Sequence, residues 1–322
     1  MTFDYCKLKP LAPFHLGERQ AWLEGSSVFI HSDLLFSGIC HCYALLYPQK
    51  DFEDFISKII NSNVLKISSA FPCWGDKYYW PIPKNQIPED KQAYKIKFIE
   101  QDGFEKLLAG EKIENLMKQG ASIIPRAQKP RTPWTLNNVP RISLNRLNNH
   151  PLENGGFFHS GRVTYEKTAG LFFIYKVGDP VIEKRFKASL RLLVEQGIGG
   201  DRSVGNGIMK IEQLSRLQLN VPQNANGEVL IALYHPKENE LPSMKDGFYE
   251  LLERKGYIYS PYGQSLRRRT VRMFTEGSVF PVSAPQRAGQ LQSVKPAIFK
   301  KHDIYRYGLF WGLPCRKEVV LG

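Results

Sequence analysis

The sequence predicts an α+β fold made of two successive βαββαβ-like units with antiparallel sheets. The first observation behind this is the order of elements, since residues 139–217 read as three strands, a helix, a glycine-rich loop and a strand, and strand-like sequence restarts near residue 224. The second is composition, because 42% of the 322 residues are hydrophobic and 12% are aromatic, enough for a substantial core. We therefore predict an N-terminal domain over residues 1–217 and a C-terminal domain over 218–322.

The N-terminal domain begins with a loosely alternating strand over residues 3–11, followed by a helix over 31–47. That helix is predicted because Leu35, Ile39 and Cys42 fall on one helical face, and Ser32 or Asp33 can cap its N-terminus. The same criteria predict further helices at 52–60, 104–119 and 181–196, and strands at 64–72, 77–83, 139–147, 155–166, 170–177 and 207–217.

Residues 84–138 are the least regular part of this domain and are predicted to be an insertion. The segment after its helix, IIPRAQKPRTPW, is rich in proline, which disfavours both helix and central strand. It carries Arg126 and Arg131 and no acidic residue. We interpret it as a basic arm that reaches a partner, with an ordinary surface loop as the alternative.

The C-terminal domain repeats the alternation of strands and helix on a smaller scale. A helix is predicted at 248–255, and strands are predicted at 224–234, 256–260, 268–277 and 304–313.

The balance of charge is the strongest global indication of function. The formal net charge is +13, and such an excess in a chain whose apolar runs are too short to span a bilayer favours a polyanionic partner. Residues 260–306 hold nine basic and only two acidic residues. Four of the basic residues, Arg267, Arg268, Arg269 and Arg272, are predicted nucleic-acid contacts, with a face toward a protein partner as the alternative. Because the N-terminus lacks the apolar core of a signal peptide, we expect a cytoplasmic protein without a membrane partner.

The cysteines do not predict a metal site. Their number is odd, no CxxC pair occurs, and Cys40, His41 and Cys42 fall in a predicted helix, where adjacent side chains fan apart. We expect buried free thiols and no cofactor.

The stretch GIGGDRSVGNG at 197–207 is the most distinctive motif. It lacks the Lys-Ser/Thr of a phosphate-binding P-loop and the spacing of GxGxxG. It also follows a helix, whereas a dinucleotide-binding loop follows a strand. The alternatives are a helix C-cap at Gly197 and a loop that lies against a sugar-phosphate backbone. A loop of the second kind requires its own backbone to come close to the sugar-phosphate chain, which glycine permits. Its predicted contacts are Gly197, Gly199, Gly200, Arg202, Ser203, Gly205 and Gly207.

Two further stretches carry candidate nucleic-acid contacts. Arg141, Ser143 and Asn145 share one face of the strand at 139–147, and Arg146 joins them only at a strand end or bulge. His31 and Ser32 lie at a helix N-terminus, which can bind phosphate through free N–H groups or can simply be capped.

Four of these stretches together resemble the RAMP proteins of CRISPR–Cas systems. They are HSDLLFSGI (31–39), PRISLNRL (140–147) with the GGFF strand after it, the glycine-rich loop, and RRRTVRMFTEGSVF (267–280) with HDIYRYGLFW (302–311). Within that family the chain is most similar to the fourth Csm subunit of the type III-A complex. The resemblance implies tandem ferredoxin-like (RRM-like) domains, although the paired stacking aromatics of a true RRM are missing from the strand at 139–147.

The resemblance also implies a role. Such subunits hold the repeat-derived 5′ handle of crRNA, contact the large polymerase-like subunit and the backbone RAMP subunit, meet target RNA only indirectly, and do not cut RNA themselves. The alternative within the family is a metal-independent endoribonuclease that matures crRNA, for which His15, His31 and His159 are candidates. A metal-dependent nuclease is disfavoured because carboxylates are sparse around the basic clusters, and a purely structural adaptor remains a third possibility.

Overall fold

An antiparallel eight-stranded sheet organises residues 2–218. The computed structural model describes residues 1–17, 25–86, 96–124, 132–145, 147–148, 150–151, 156–260, 262, 266–283 and 286–318. The predicted contacts Arg126, Arg131 and Arg146 lie outside these residues. The strands of the sheet are β1 (Thr2–Pro10), β2 (Leu65–Ile67), β3 (Phe71–Trp74), β4 (Lys77–Pro81), β5 (Phe98–Glu100), β6 (Ile123–Ile124), β9 (Ala169–Val177) and β10 (Met209–Gln218).

The strand order is β10-β1-β9-β3-β4-β5-β6, with β2 also paired to β9. Its centre is the apolar run at β9, where seven consecutive residues are buried. The helices are α1 (Ser32–Leu46), α2 (Gln49–Ser62), α3 (Gln101–Leu108), α4 (Ile113–Lys118) and α5 (Pro180–Gln196). α1 and α5 pack closely at Gly38, where a Cβ would lie 2.7 Å from Leu193 Cδ1. None of the helices among the described residues is long and apolar enough to cross a membrane.

The predicted insertion is in part a piece of the main sheet. β5 and β6 extend that sheet beyond β4, and α3 and α4 lie between them in sequence. The single helix predicted at 104–119 is two helices, because the chain turns at Gly110 with a φ of +95°. The interpretation of residues 84–138 as an excursion is therefore corrected for residues 98–124.

A separate two-stranded sheet pairs β7 (Trp134–Ile142) with β8 (Phe157–Tyr165) along their full length. The strand predicted at 139–147 thus begins earlier and ends at Ile142, before Ser143 and Asn145. A backbone bridge between Phe14 and Val163 connects this hairpin to the segment after β1.

The C-terminal region consists of short antiparallel strands. They are β11 (Gly227–Leu230), β12 (Leu251–Arg254), β13 (Val271–Phe274), β14 (Val279–Pro281), β15 (Gly289–Ser293), β16 (Tyr305–Leu309) and β17 (Gly312–Cys315). The α+β fold with antiparallel sheets is confirmed. The helix predicted at 248–255 is wrong, because residues 251–254 pair with β13 as a strand. No α-helix occurs between residues 219 and 318 where the structure describes them, so the second unit lacks the predicted βαββαβ pattern.

One hydrophobic core joins the two regions. Tyr307 of β16 is fully buried, packs 5.2 Å from Phe36 of α1, and its hydroxyl accepts a hydrogen bond from the backbone N–H of Ile67. α1 therefore lies between the main sheet and the C-terminal strands, which positions its N-terminal turn at the junction.

Candidate nucleic-acid interface

A cleft of about 780 Å³ lies at this junction. Its walls are the N-terminal half of α1, the glycine-rich loop after α5, and residues 253–259 around the end of β12. His31, Leu34, Gly38 and His41 line it from α1, and their spacing of three to four residues puts them on one helical face. The cleft thus brings three stretches together that are far apart in sequence.

The cleft carries a net positive charge. Its lining includes one acidic residue, Glu253, against five cationic residues, which are Arg202, Arg254, Lys255, Arg268 and Arg306. A concave surface of one sign concentrates ligands of the opposite sign. An anionic ligand is therefore the kind that this cleft favours.

A buried ion cluster holds one wall of the cleft in place. Asp33 is fully buried, and Arg254 donates two hydrogen bonds to it, from Nε to Oδ2 at 2.9 Å and from Nη2 to Oδ1 at 3.0 Å. Arg306 also donates to Oδ2 of Asp33. Burial by itself would raise the pKa of Asp33, but the two guanidinium groups hold that pKa well below its usual range. The cluster thereby ties α1 to the C-terminal strands.

The predicted caps of α1 are not formed. The helix begins at Ser32 with His31 as the N-cap, and no side chain caps it. Ser32 is buried, and its Oγ accepts a hydrogen bond from the N–H of Leu233, so we leave Ser32 out of the RNA-facing set. His31 does line the cleft, with Nδ1 2.9 Å from Oε1 of the buried Glu276.

Arg268 is half-buried and differs from Arg254 and Arg306 in having no carboxylate paired with it among the described residues. Its Nε is buried and has no hydrogen-bond acceptor there. Burial, and then the neighbouring Arg306 and Arg254, lower the pKa of Arg268 to about 10. It therefore stays charged at neutral pH without a partner, which makes it the best placed group to receive an anion.

The glycine-rich loop approaches the chain's own backbone. A Cβ at Gly199 would lie 2.4 Å from the carbonyl oxygen of His15, and one at Gly207 would lie 2.1 Å from that of Ile198. Gly197, Gly199 and Gly207 also have positive φ values of 85°, 99° and 77°. Internal packing therefore explains these three glycines, while Gly197, Gly199 and Gly200 still line the cleft with their backbone.

We expect Gly199→Ala to destabilise the protein by about 1–3 kcal/mol or more, because its Cβ overlaps a backbone oxygen that cannot move freely. Gly205→Ala is the matched control, since Gly205 also has a positive φ, of 85°, but has nothing within 4 Å of the added Cβ. It should cost only about 1 kcal/mol. Thermal unfolding of both variants checks this, and equal melting temperatures would refute the internal role of Gly199.

Two of the predicted arginines have partners within the chain. Arg202 lies over the ring of Tyr259, with Cζ 4.4 Å from the ring centroid. Arg141 donates to Asp201 at 3.0 Å, which links the β7–β8 hairpin to the glycine-rich loop. Both arrangements use exposed or half-exposed groups, so a phosphate can compete for either arginine.

The remaining predicted contacts lie away from the cleft lining. Ser143 and Asn145 are half-buried beyond the end of β7, and Ser203 and Gly205 are exposed on the far part of the glycine-rich loop. Arg267, Arg269 and Arg272 are exposed around β13. The structure therefore joins Arg202, Arg268, His31 and three of the loop glycines in one cleft, whereas Ser32 and Gly207 are buried inside the protein.

Sequence reasoning missed several cleft residues. The sequence predicts a helix that includes Arg254 and a strand that includes Tyr257 and Tyr259, and neither pattern indicates that these side chains line a cleft. His41 enters the sequence analysis only as a possible metal ligand. The one available signal was the alternation of GYIYS, which predicts that two tyrosines share a face.

Comparison with known proteins gives a consistent set of similarities. Residues 223–315 match the family model of the CRISPR Csm4 C-terminal domain. The "CRISPR system Cms protein Csm4" of Methanocaldococcus jannaschii is 25% identical, over 87% of this chain and 85% of the relative. The fold matches a chain of the type III-A Csm3–Csm4 subcomplex with a TM-score of 0.66 at 19% identity, over 97% of this chain and 99% of that one.

A second structure, a Csm1–Csm4 cassette in complex with AMPPNP, matches with a TM-score of 0.62 at 18% identity, over all of both chains. The fold and the basic cleft thus define a chain similar to RAMP-type proteins of type III-A CRISPR effector complexes. Within that class the resemblance to the fourth Csm subunit, Csm4, is confirmed.

Proposed function

We propose that this protein is the Csm4 subunit of a type III-A CRISPR effector complex and that its cleft holds the 5′ handle of crRNA. The observation that carries the proposal is the half-buried Arg268, which has no carboxylate partner among the described residues and lines a cleft with five cationic residues and one acidic residue. Charge-assisted contacts to phosphate suit such a group, since arginine offers a planar fork of donors.

The proposal extends to partners. The similar structures contain Csm1 in one case and Csm3 in the other. We propose corresponding neighbours for this chain, namely the large polymerase-like subunit and the backbone RAMP subunit.

We further propose that the role is non-catalytic and that the two domains meet near residue 218.

The test is fluorescence anisotropy of the full chain in EDTA with two labelled RNAs of equal length. One carries the repeat-derived 5′ handle and the other a scrambled handle, each titrated at several salt concentrations. We expect tighter binding of the handle and intact RNA, with log Kd rising about 0.7 per phosphate contact for each tenfold increase in salt. Equal binding of both RNAs would contradict handle recognition, and cleavage in EDTA would favour the endoribonuclease.

A further inference from the structure

Two exposed tyrosines stand on the wall of the cleft opposite α1. Tyr257 is 54% exposed and Tyr259 is 57% exposed, whereas Ile258 and Ser260 between and after them are each 3% exposed. This alternation shows that the two rings leave the same side of an extended segment. Both line the cleft.

The backbone of this segment is fixed on the other side. Tyr257 forms an antiparallel bridge with Arg267, Ile258 donates a hydrogen bond to the Leu266 carbonyl, and Arg268 donates one to the Gly256 carbonyl. Ile258 belongs to a buried apolar cluster of the C-terminal region. The rings are therefore carried on a backbone that is already ordered, which lowers the entropy cost of binding anything to them.

Each ring lies next to a cation. Arg202 is 4.4 Å from the centroid of Tyr259, and Arg267 is 5.6 Å from that of Tyr257. His41 meets the Tyr259 ring edge-on at 4.9 Å. Aromatic faces interleaved with arginines in a positively charged groove are the features by which proteins bind single-stranded nucleic acid, with bases on the rings and phosphates on the cations.

The spacing of the rings fits that use. Alternate residues of an extended chain are about 6.6 Å apart, roughly twice the 3.4 Å rise of a stacked strand. Two rings at this distance accommodate two neighbouring bases of an extended, unstacked strand.

We propose that Tyr257 and Tyr259 stack on unpaired nucleobases of single-stranded RNA in the cleft. This inference rests on the proposed function, since it names how the same cleft reads its RNA. It supplies, from a different segment, the stacking aromatics that are missing from the strand at 139–147. Arg202 is expected to leave the ring of Tyr259 for a phosphate when a base takes its place.

The test is a double-mutant cycle between the protein and the RNA. Tyr259→Ala is compared with the full-length wild type on the handle RNA and on a series of handle RNAs with one abasic nucleotide each. We expect Tyr259→Ala to weaken binding of the intact RNA by about 5- to 100-fold. On the RNA that lacks the stacked base, the same substitution should cause no further loss. Tyr259→Phe, which keeps the ring, should bind as the wild type does.

Tyr262→Ala is the matched control. Tyr262 is 66% exposed and has Lys301 5.9 Å from its ring centroid, but it does not line the cleft. It should bind RNA normally. If wild type binds RNA and Tyr259→Ala binds equally well, or loses the same factor on every abasic RNA, the stacking inference is refuted and the RNA-binding function stands. If the wild type binds neither handle nor scrambled RNA, both are refuted.

Discussion

Asp33→Asn is expected to destabilise the protein by about 3–5 kcal/mol, which is the cost of removing one member of a buried ion cluster. The substitution keeps the shape of the side chain but leaves Arg254 and Arg306 without a counter-charge in a site where Asp33 is fully buried. For a chain of this size the melting temperature should fall by roughly 5–10 °C. The effect should be seen by thermal unfolding at pH 7.

The pH dependence of this effect has a defined sign. The pKa of Asp33 is lower in the folded protein than in the unfolded chain, because Arg254 and Arg306 outweigh the effect of burial. Its contribution is therefore complete above about pH 4, the unfolded pKa, and is lost as the pH falls further. The difference between wild type and Asp33→Asn should shrink below that pH. Asp76→Asn is the control, because it removes the same charge from an exposed turn and should change the free energy of unfolding by less than about 0.5 kcal/mol. A comparable loss of stability in both variants would contradict the role of the buried cluster.

The elements that sequence predicted well are those whose pattern is local. α1 and α5 have apolar residues at helical spacing over four turns, and the structure places their buried faces where that spacing indicates. β1 and β9 are likewise recognisable as strands. In each case, the side chains that determine the element lie within it.

The failures come from contacts between distant segments. Residues 251–254 read as helix, but their backbone pairs with β13, and Arg254 is held by Asp33. The glycine-rich loop was recognised, yet its closest neighbour is the carbonyl of His15, which no local pattern indicates. Ser32 and Arg268 are both predicted contacts, and nothing local in the sequence separates them. The fold does: the Ser32 hydroxyl has a hydrogen-bond partner inside the protein, whereas Arg268 Nε has none among the described residues.

We expect Arg268→Met to weaken RNA binding without destabilising the protein. Removing a half-buried charge that lies beside the like charges of Arg306 and Arg254 relieves a cost, so the free energy of unfolding should be unchanged or rise by up to about 1 kcal/mol. RNA affinity should fall about 10- to 100-fold, the value of a charge-assisted contact. The dependence of log Kd on log salt should also become shallower by about 0.7.

A loss of affinity without a loss of stability is what a binding role predicts, whereas replacing a purely structural arginine would lower the melting temperature. Arg216→Met is the matched control, since it makes the same chemical change at a side chain that is 80% exposed on β10, outside the cleft lining. Among the described residues it pairs only with Asp4, at 3.7 Å, so its replacement should alter RNA binding little and stability hardly at all. If Arg268→Met lowers the melting temperature while leaving RNA affinity intact, Arg268 supports the fold and does not receive the phosphate.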